Sequence, residues 1–196
     1  MRRLLAAPLA TLAFTAALPA QAPVTFDEWE VPYERSRPRD PYVAPDGSVF
    51  FVGQVGNYIA RLDQKSGQFT RFEIDPGTNP HNLIIDRRGM VWYAGNRNGM
   101  IGRLDPATGA ITRYPMPDST ARDPHTLVFD QAGDIWFTAQ QSGFVGRLAT
   151  RTGKIDLIKL DRSPSGRSTL PYGIVIDAKG TPWFCEFGSN TLVSIN

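Results

Sequence analysis

The chain holds one cysteine, Cys185, and two histidines, His81 and His125, in 196 residues. A lone thiol excludes an intramolecular disulfide framework. Cys185 stands where Val52, Ala94 and Thr138 occupy matching places in the repeat described below. It therefore reads as a small buried core residue rather than a reactive thiol. Helical patterning is missing too: beyond residue 20, no ten-residue stretch joins helical apolar spacing to capping residues. Long apolar runs are confined to the N-terminus, where Arg2 and Arg3 precede Leu4 to Leu18 and small residues surround Ala20 and Ala22. That is the form of a secretory leader over residues 1–20, too short for a stable membrane span. Cleavage after Ala20 is expected, because cleavage after Ala22 would put Pro23 where proteases tolerate it least. Net charge is absent as well. The leader removes two arginines and no acid, leaving 19 basic against 19 acidic side chains. A neutral mature chain offers no electrostatic basis for nucleic acid or membrane surfaces. The expectation is a periplasmic or secreted domain over residues 21–196, monomeric and free of the membrane once the leader is gone.

What is present is a repeat. A glycine falls nine residues after a proline, an aromatic residue twelve after it, and a turn-forming residue nineteen after it. The copies read Pro38, Gly47, Phe50, Asn57; Pro80, Gly89, Trp92, Gly99; Pro124, Gly133, Trp136, Gly143; and Pro171, Gly180, Trp183, Asn190. The prolines are 42, 44 and 47 residues apart. Such a period marks supersecondary units that bury their apolar faces only against one another. Within one copy, Leu83-Ile84-Ile85 ends at the turn Asp86-Arg87-Arg88-Gly89, and Met90 to Ala94 is rich in β-formers. Met100 to Leu104 and Ile111 to Met116 follow, joined by the hairpin Asp105-Pro106-Ala107-Thr108-Gly109. Four antiparallel strands in such a length make one blade of a β-propeller. The fold expected is all-β, a propeller of four-stranded blades with about four present, at residues 38–79, 80–123, 124–170 and 171–196.

Phe26, Trp29 and Val31 share the spacing of Phe69, Phe72 and Ile74 and of Ile111, Tyr114 and Met116. Residues 24–31 are therefore expected to form an outer closing strand, which would leave no sheet edge exposed. Asn196 aligns with Asp105, so the fourth copy is covered through its third strand. Either residues 24–31 close a four-bladed ring, or the chain is the front of a larger propeller.

Strand polarity places the start of the first strand beside the end of the second, on one face around the axis. Arg39, His81, His125 and Tyr172 follow the repeat prolines on that face. Gly53, Gly95, Ala139 and Glu186 close the second strands there. Loops held by a rigid scaffold around a channel are where ligands bind. Both histidines fall at one repeat position and are candidate catalytic residues. Each could also be a metal ligand or an ordinary hydrogen-bonded loop residue. Glu186 is a hard oxygen ligand suited to Mg²⁺ or Ca²⁺, or else a carboxylate hydrogen-bonded to a neighbouring blade. Asp86 and Asp130 lie at the opposite end, in turns expected to be solvated. Trp92, Trp136 and Trp183 read as blade packing.

The run Pro-His-x-Leu-x-x-Asp-x-x-Gly-x-x-Trp-Phe/Tyr, followed by Ile/Val-Gly-Arg-Leu and Asp-Pro-x-Thr-Gly, resembles the streptogramin B lyase (virginiamycin B lyase) family. The resemblance covers residues 24–196 and implies part of a seven-bladed propeller. It implies opening of a cyclic depsipeptide at its ester by elimination, without water. In that chemistry a histidine removes a proton next to a carbonyl while Mg²⁺, held by two glutamates, stabilises the enolate. Pro124-His125 and Trp183-Phe184-Cys185-Glu186 match two elements of the family site, which implies His125 beside the substrate and Glu186 as metal ligand; His81, at the equivalent repeat position, is the other candidate catalytic residue. Leu170-Pro171-Tyr172 stands where the family has Glu-Pro-His. Arg39 and Tyr172 are the expected channel contacts to a small-molecule ligand. Two other functions fit the same face: a non-catalytic binding propeller and a metal-dependent lactone or ester hydrolase.

Overall fold

A computed structural model describes residues 24–196 apart from 162–165 and 167. The leader expected over residues 1–20 lies outside the described residues. The described residues form fifteen strands and no helix. Blade 1 comprises β1 (Pro38–Val43), β2 (Val49–Gly53), β3 (Tyr58–Asp63) and β4 (Gln68–Glu73). Blade 2 comprises β5 (Pro80–Ile85), β6 (Val91–Gly95), β7 (Met100–Leu104) and β8 (Ile111–Pro115). Blade 3 comprises β9 (Pro124–Phe129), β10 (Ile135–Ala139), β11 (Phe144–Ala149) and β12 (Lys154–Lys159). Blade 4 holds β13 (Pro171–Ile176), β14 (Pro182–Glu186) and β15 (Thr191–Ser194). Each sheet is a simple antiparallel meander in chain order. All four repeat prolines open the first strand of their blade, and those first strands neighbour one another in sequence order.

Apolar residues alternate onto both faces of each sheet, so cores form between blades. Val52, Ile59, Leu83, Val91 and Tyr93 are buried between blades 1 and 2. Ile84, Trp92, Ile101, Phe137 and Leu148 are buried between blades 2 and 3, and Val145, Ile174 and Phe184 between blades 3 and 4. The turn-forming residue at position nineteen is left-handed in every blade: Asn57 at φ 57°, Gly99 at 63°, Gly143 at 71° and Asn190 at 60°. Asparagine and glycine adopt that conformation at low cost, which is why they alternate there. The glycine of Ile/Val-Gly-Arg-Leu has another cause. The ring of Phe137 occupies the space beside Gly146, where a Cβ would overlap it.

Three sequence expectations are corrected. Residues 24–31 form no strand; Trp29, Val31 and Tyr33 instead pass beside Phe51, Phe69 and Tyr58 of blade 1. The spacing of Phe26, Trp29 and Val31 supplies no edge partner, and of the three only Val31 is half-buried while Phe26 and Trp29 stay exposed. Cys185 is exposed, whereas Val52, Ala94 and Thr138 are fully buried. Among the described residues no sheet packs on its side of blade 4, and Val175 and Leu192 are exposed with it. Finally, Asp86 and Asp130 are more than solvated turn residues, and Asp177 is their counterpart in blade 4.

Each of these aspartates clasps its own turn. Asp130 Oδ1 accepts from the Ala132 and Asp134 amides at 2.9 Å, and its Oδ2 accepts from Trp136 Nε1 at 3.3 Å. Asp86 and Asp177 repeat the pattern with Trp92 and Trp183, both at 3.1 Å. In blade 1, alanine (Ala44) and phenylalanine (Phe50) replace the aspartate and tryptophan together, and the backbone turn persists without the clasp. The repeat pairs these two residues because either alone would leave a polar group unmatched. Replacing Asp130 by Ala is therefore expected to cost about 1–3 kcal/mol in urea unfolding. The same change made in a Trp136→Phe background should cost measurably less.

Candidate functional site at the axial end

Every first strand carries the same irregularity. Pro80 pairs with Gly95 and Leu83 with Tyr93, so one extra residue is accommodated between them. The same shift falls between Arg39 and Tyr42, between Pro124 and Leu127, and between Pro171 and Ile174. A β-bulge re-aims side chains; in blades 2 to 4 it takes in the residue after the proline, and in blade 1 it follows Arg39, which pairs with Val52. Pro171 pairs with Glu186, as Pro38 does with Gly53 and Pro124 with Ala139, so the first-strand starts and second-strand ends share one end of the sheets.

At that end the rings of His81 and His125 meet with centroids 3.5 Å apart and planes tilted by 35°. Tyr172 lies 4.6 Å beyond His125, and Phe187 6.0 Å beyond Tyr172. Four rings from three blades thus form a ladder, buried at the histidine end and exposed at Tyr172 and Phe187. Arg39 donates from Nη1 to Gln54 Oε1 at 3.1 Å, and its charge reaches both imidazoles. Asn82 holds the strands beneath the pair: Nδ2 donates to Asp40 of blade 1 at 3.2 Å, and Oδ1 accepts from the Leu127 amide of blade 3 at 2.9 Å. His125 Nδ1 lies 3.0 Å from Thr126 Oγ1, and Thr138 Oγ1 donates to the Tyr172 carbonyl at 2.7 Å. Gln54, Asn82 and Thr126 were not singled out from the sequence. The available signal was a polar residue inside an otherwise apolar inner strand, as in Pro80-His81-Asn82-Leu83-Ile84-Ile85.

Both imidazoles are held neutral. Burial, then the neighbouring His125, Arg39 and Arg37, lowers His81 from 6.5 to about 3. Burial and Arg39 lower His125 to about 4, against the pull of Asp40 and Asp123. His81 Nδ1 is buried without a hydrogen bond, and Asp40 at 3.8 Å is too far to supply one. With the ring neutral, that approach is not an ion pair.

Glu186 sits at the same end but is engaged locally. Its Oε2 accepts from Ser189 Oγ at 2.7 Å and Thr191 Oγ1 at 2.6 Å, in its own hairpin rather than a neighbouring blade. Among the described residues, no group of three or more His, Cys, Asp or Glu side chains could hold a metal. The described residues therefore do not fit Mg²⁺, which keeps its waters unless several oxygens converge. Asp86 and Asp130 follow the far ends of β5 and β9, away from the histidines.

The model of the virginiamycin B lyase family matches residues 20–185. This chain belongs to that family. Among solved structures, a catalytically inactive virginiamycin B lyase from Staphylococcus aureus with quinupristin is 24% identical, with a TM-score of 0.78 over 87% of this chain and 56% of that one. A streptogramin B lyase is 27% identical, with a TM-score of 0.73 over 86% and 57% of the two chains. The WD40 propeller domain of Doa1, 15% identical, matches at a TM-score of 0.65 over 80% of this chain and 49% of that one. No curated protein matches the chain. It spans a little over half the length of the solved lyases it matches.

The neutral pair gives a signed pH dependence. Both histidines bind protons more readily unfolded than folded, so stability rises with pH between their folded values and 6.5. Acidifying from pH 7 to about 4.5 should lower the urea midpoint. His81→Gln with His125→Gln should flatten that fall, which chemical denaturation at both pH values would measure.

Proposed function

We propose that this protein is an exported, streptogramin lyase-like propeller that recognises a cyclic or ester-linked small molecule at its axial end. The observation that carries the reading is the closely apposed, neutral His81–His125 pair joined to exposed Tyr172 and Phe187. Rings exposed beside buried imidazoles offer a flat ligand a stacking surface and a lone-pair nitrogen. In the tautomer whose Nδ1–H donates to Thr126 Oγ1, 3.0 Å away, Nε2 carries that lone pair. Elimination would begin there: Nε2 takes a proton from carbon next to a carbonyl, the freed pair forms a carbon–carbon double bond, and the ester C–O bond breaks to release carboxylate. No water is consumed. Arg39 supports the reading as a cation near the developing oxyanion, and family membership makes the ester chemistry a natural one to test. The Arg2, Arg3 and Leu4 to Leu18 pattern supports export.

A second reading, a non-catalytic binding propeller, is favoured by two features. A histidine held at about 4 is available as a free base at neutral pH but is a weak one. The described residues also supply no converging carboxylates to stabilise an enolate. Calorimetry and mass spectrometry with a streptogramin B separate the readings. This chain by itself is expected to bind the ligand without opening it, with Mg²⁺ making no difference, and His125→Ala should weaken binding about tenfold. Ring opening at unchanged mass would establish the lyase on these blades. Opening with the gain of one water would identify a hydrolase. Absence of binding would remove the axial site from consideration.

A further inference from the structure

The opposite end of the blades carries a second feature, unconnected with the histidines. A cavity of about 910 Å³ opens between the β5–β6 turn of blade 2 and the corresponding turns of blade 3. Arg87, Arg88, Arg103 and Arg151 line it over an apolar floor that includes Met90 and Phe129. The acids in its wall are Asp86 and Asp130, whose carboxylates are engaged by their own turns and tryptophan indoles. Arg103 reaches over Trp92 and donates to Thr112. Arg87, Arg88 and Arg151 are exposed and make no side-chain hydrogen bond or ion pair among the described residues. Three free guanidiniums around an apolar floor fit carboxylates attached to an apolar chain, since Arg binds carboxylate in a planar fork.

The same molecule presents such a chain. Residues 24–30 read Val-Thr-Phe-Asp-Glu-Trp-Glu, three acids among apolar side chains with no base. Every one of these residues is exposed, and Asp27, Glu28 and Glu30 have no partner among the described residues. Phe26 is 84% exposed. The segment also emerges at the same end as the cavity. Trp29 touches Gly67 in the β3–β4 turn, and Gln64 of that turn donates to Gly47 in the β1–β2 turn. The β1–β2 turn is the counterpart of the arginine-bearing β5–β6 turn.

We infer that this end is an interface between two copies of the chain, each placing its Phe26–Glu30 segment in the other's arginine-lined cavity. Because donor and acceptor lie on the same end, one two-fold axis satisfies both contacts and the assembly closes as a dimer rather than a fibre. The exchange would hold Phe26 against the floor near Met90 and Phe129, and Asp27 and Glu28 against Arg87 and Arg151. A concentration-dependent dimer thereby replaces the monomer expected from composition.

Sedimentation of the purified protein tests this. The expected result is a monomer–dimer equilibrium at about 20 mM salt that shifts strongly to monomer at about 500 mM, as screening removes the charge contacts. Arg87→Glu with Arg151→Glu, and separately Asp27→Lys with Glu28→Lys, should each weaken dimerisation at least about tenfold. Mixing the two charge-reversed proteins should restore association in part. Arg97→Glu, an exposed change at the histidine end, should leave it unaffected, and far-ultraviolet circular dichroism should show all variants folded. A monomer at every concentration overturns the inference. So does a dimer insensitive to these reversals, or one weakened equally by Arg97→Glu. Tight capture of polyglutamate by a protein that stays monomeric would assign the cavity to another acidic partner and equally overturn the two-copy reading.

Discussion

Each blade is a sheet with two apolar faces, and a sheet of that kind is stable only when both faces are covered. Burying roughly 25 cal/mol per Å² of apolar surface is the main favourable contribution available to a chain without disulfides. Here that burial lies between blades, in one core that includes Val52 and Tyr93 and another that includes Trp92 and Phe137. Packing face to face also fixes where the inner strands run. Strands β1, β5, β9 and β13 are brought side by side, and their starts converge on one end. The His81–His125 pair is a consequence of blade packing as much as of the residues that compose it.

Much of this was legible because the constraints repeat. Four copies of a proline, a glycine, an aromatic and a turn residue located the strands, and prolines opened all four inner strands. Polarity alone was enough to predict that Arg39, His81, His125 and Tyr172 share an end. The aspartate–tryptophan clasp was present in the sequence as Asp-x-x-Gly-x-x-Trp, but a turn aspartate and a packing tryptophan each have a sufficient separate explanation. Only coordinates join Asp130 to Trp136, and only then does the paired replacement by Ala44 and Phe50 acquire a meaning.

The failures share a cause. Cys185 and residues 24–31 were read from the spacing of their counterparts, and spacing reports which way a side chain points rather than what lies opposite. Val52 is buried by a neighbouring sheet; Cys185 has the same direction and no such sheet among the described residues. Phe26, Trp29 and Val31 have an outer strand's pattern, yet a strand also needs an edge to pair with. Glu186 shows the same limit in chemistry. Its place at the axial end was correctly inferred, but Ser189 and Thr191 occupy its carboxylate. The bulge that involves His81 and His125 was likewise invisible, because an extra residue in a strand leaves no compositional trace.

The convergence of the two histidines is the claim on which the functional reading stands, and proton nuclear Overhauser spectroscopy reaches it directly. Ring protons of His81 and His125 should give strong cross-peaks to each other, with a weaker set from His125 to Tyr172. His81 signals free of any contact with His125 would contradict the account, because the two first strands could not then start side by side at a common axial end.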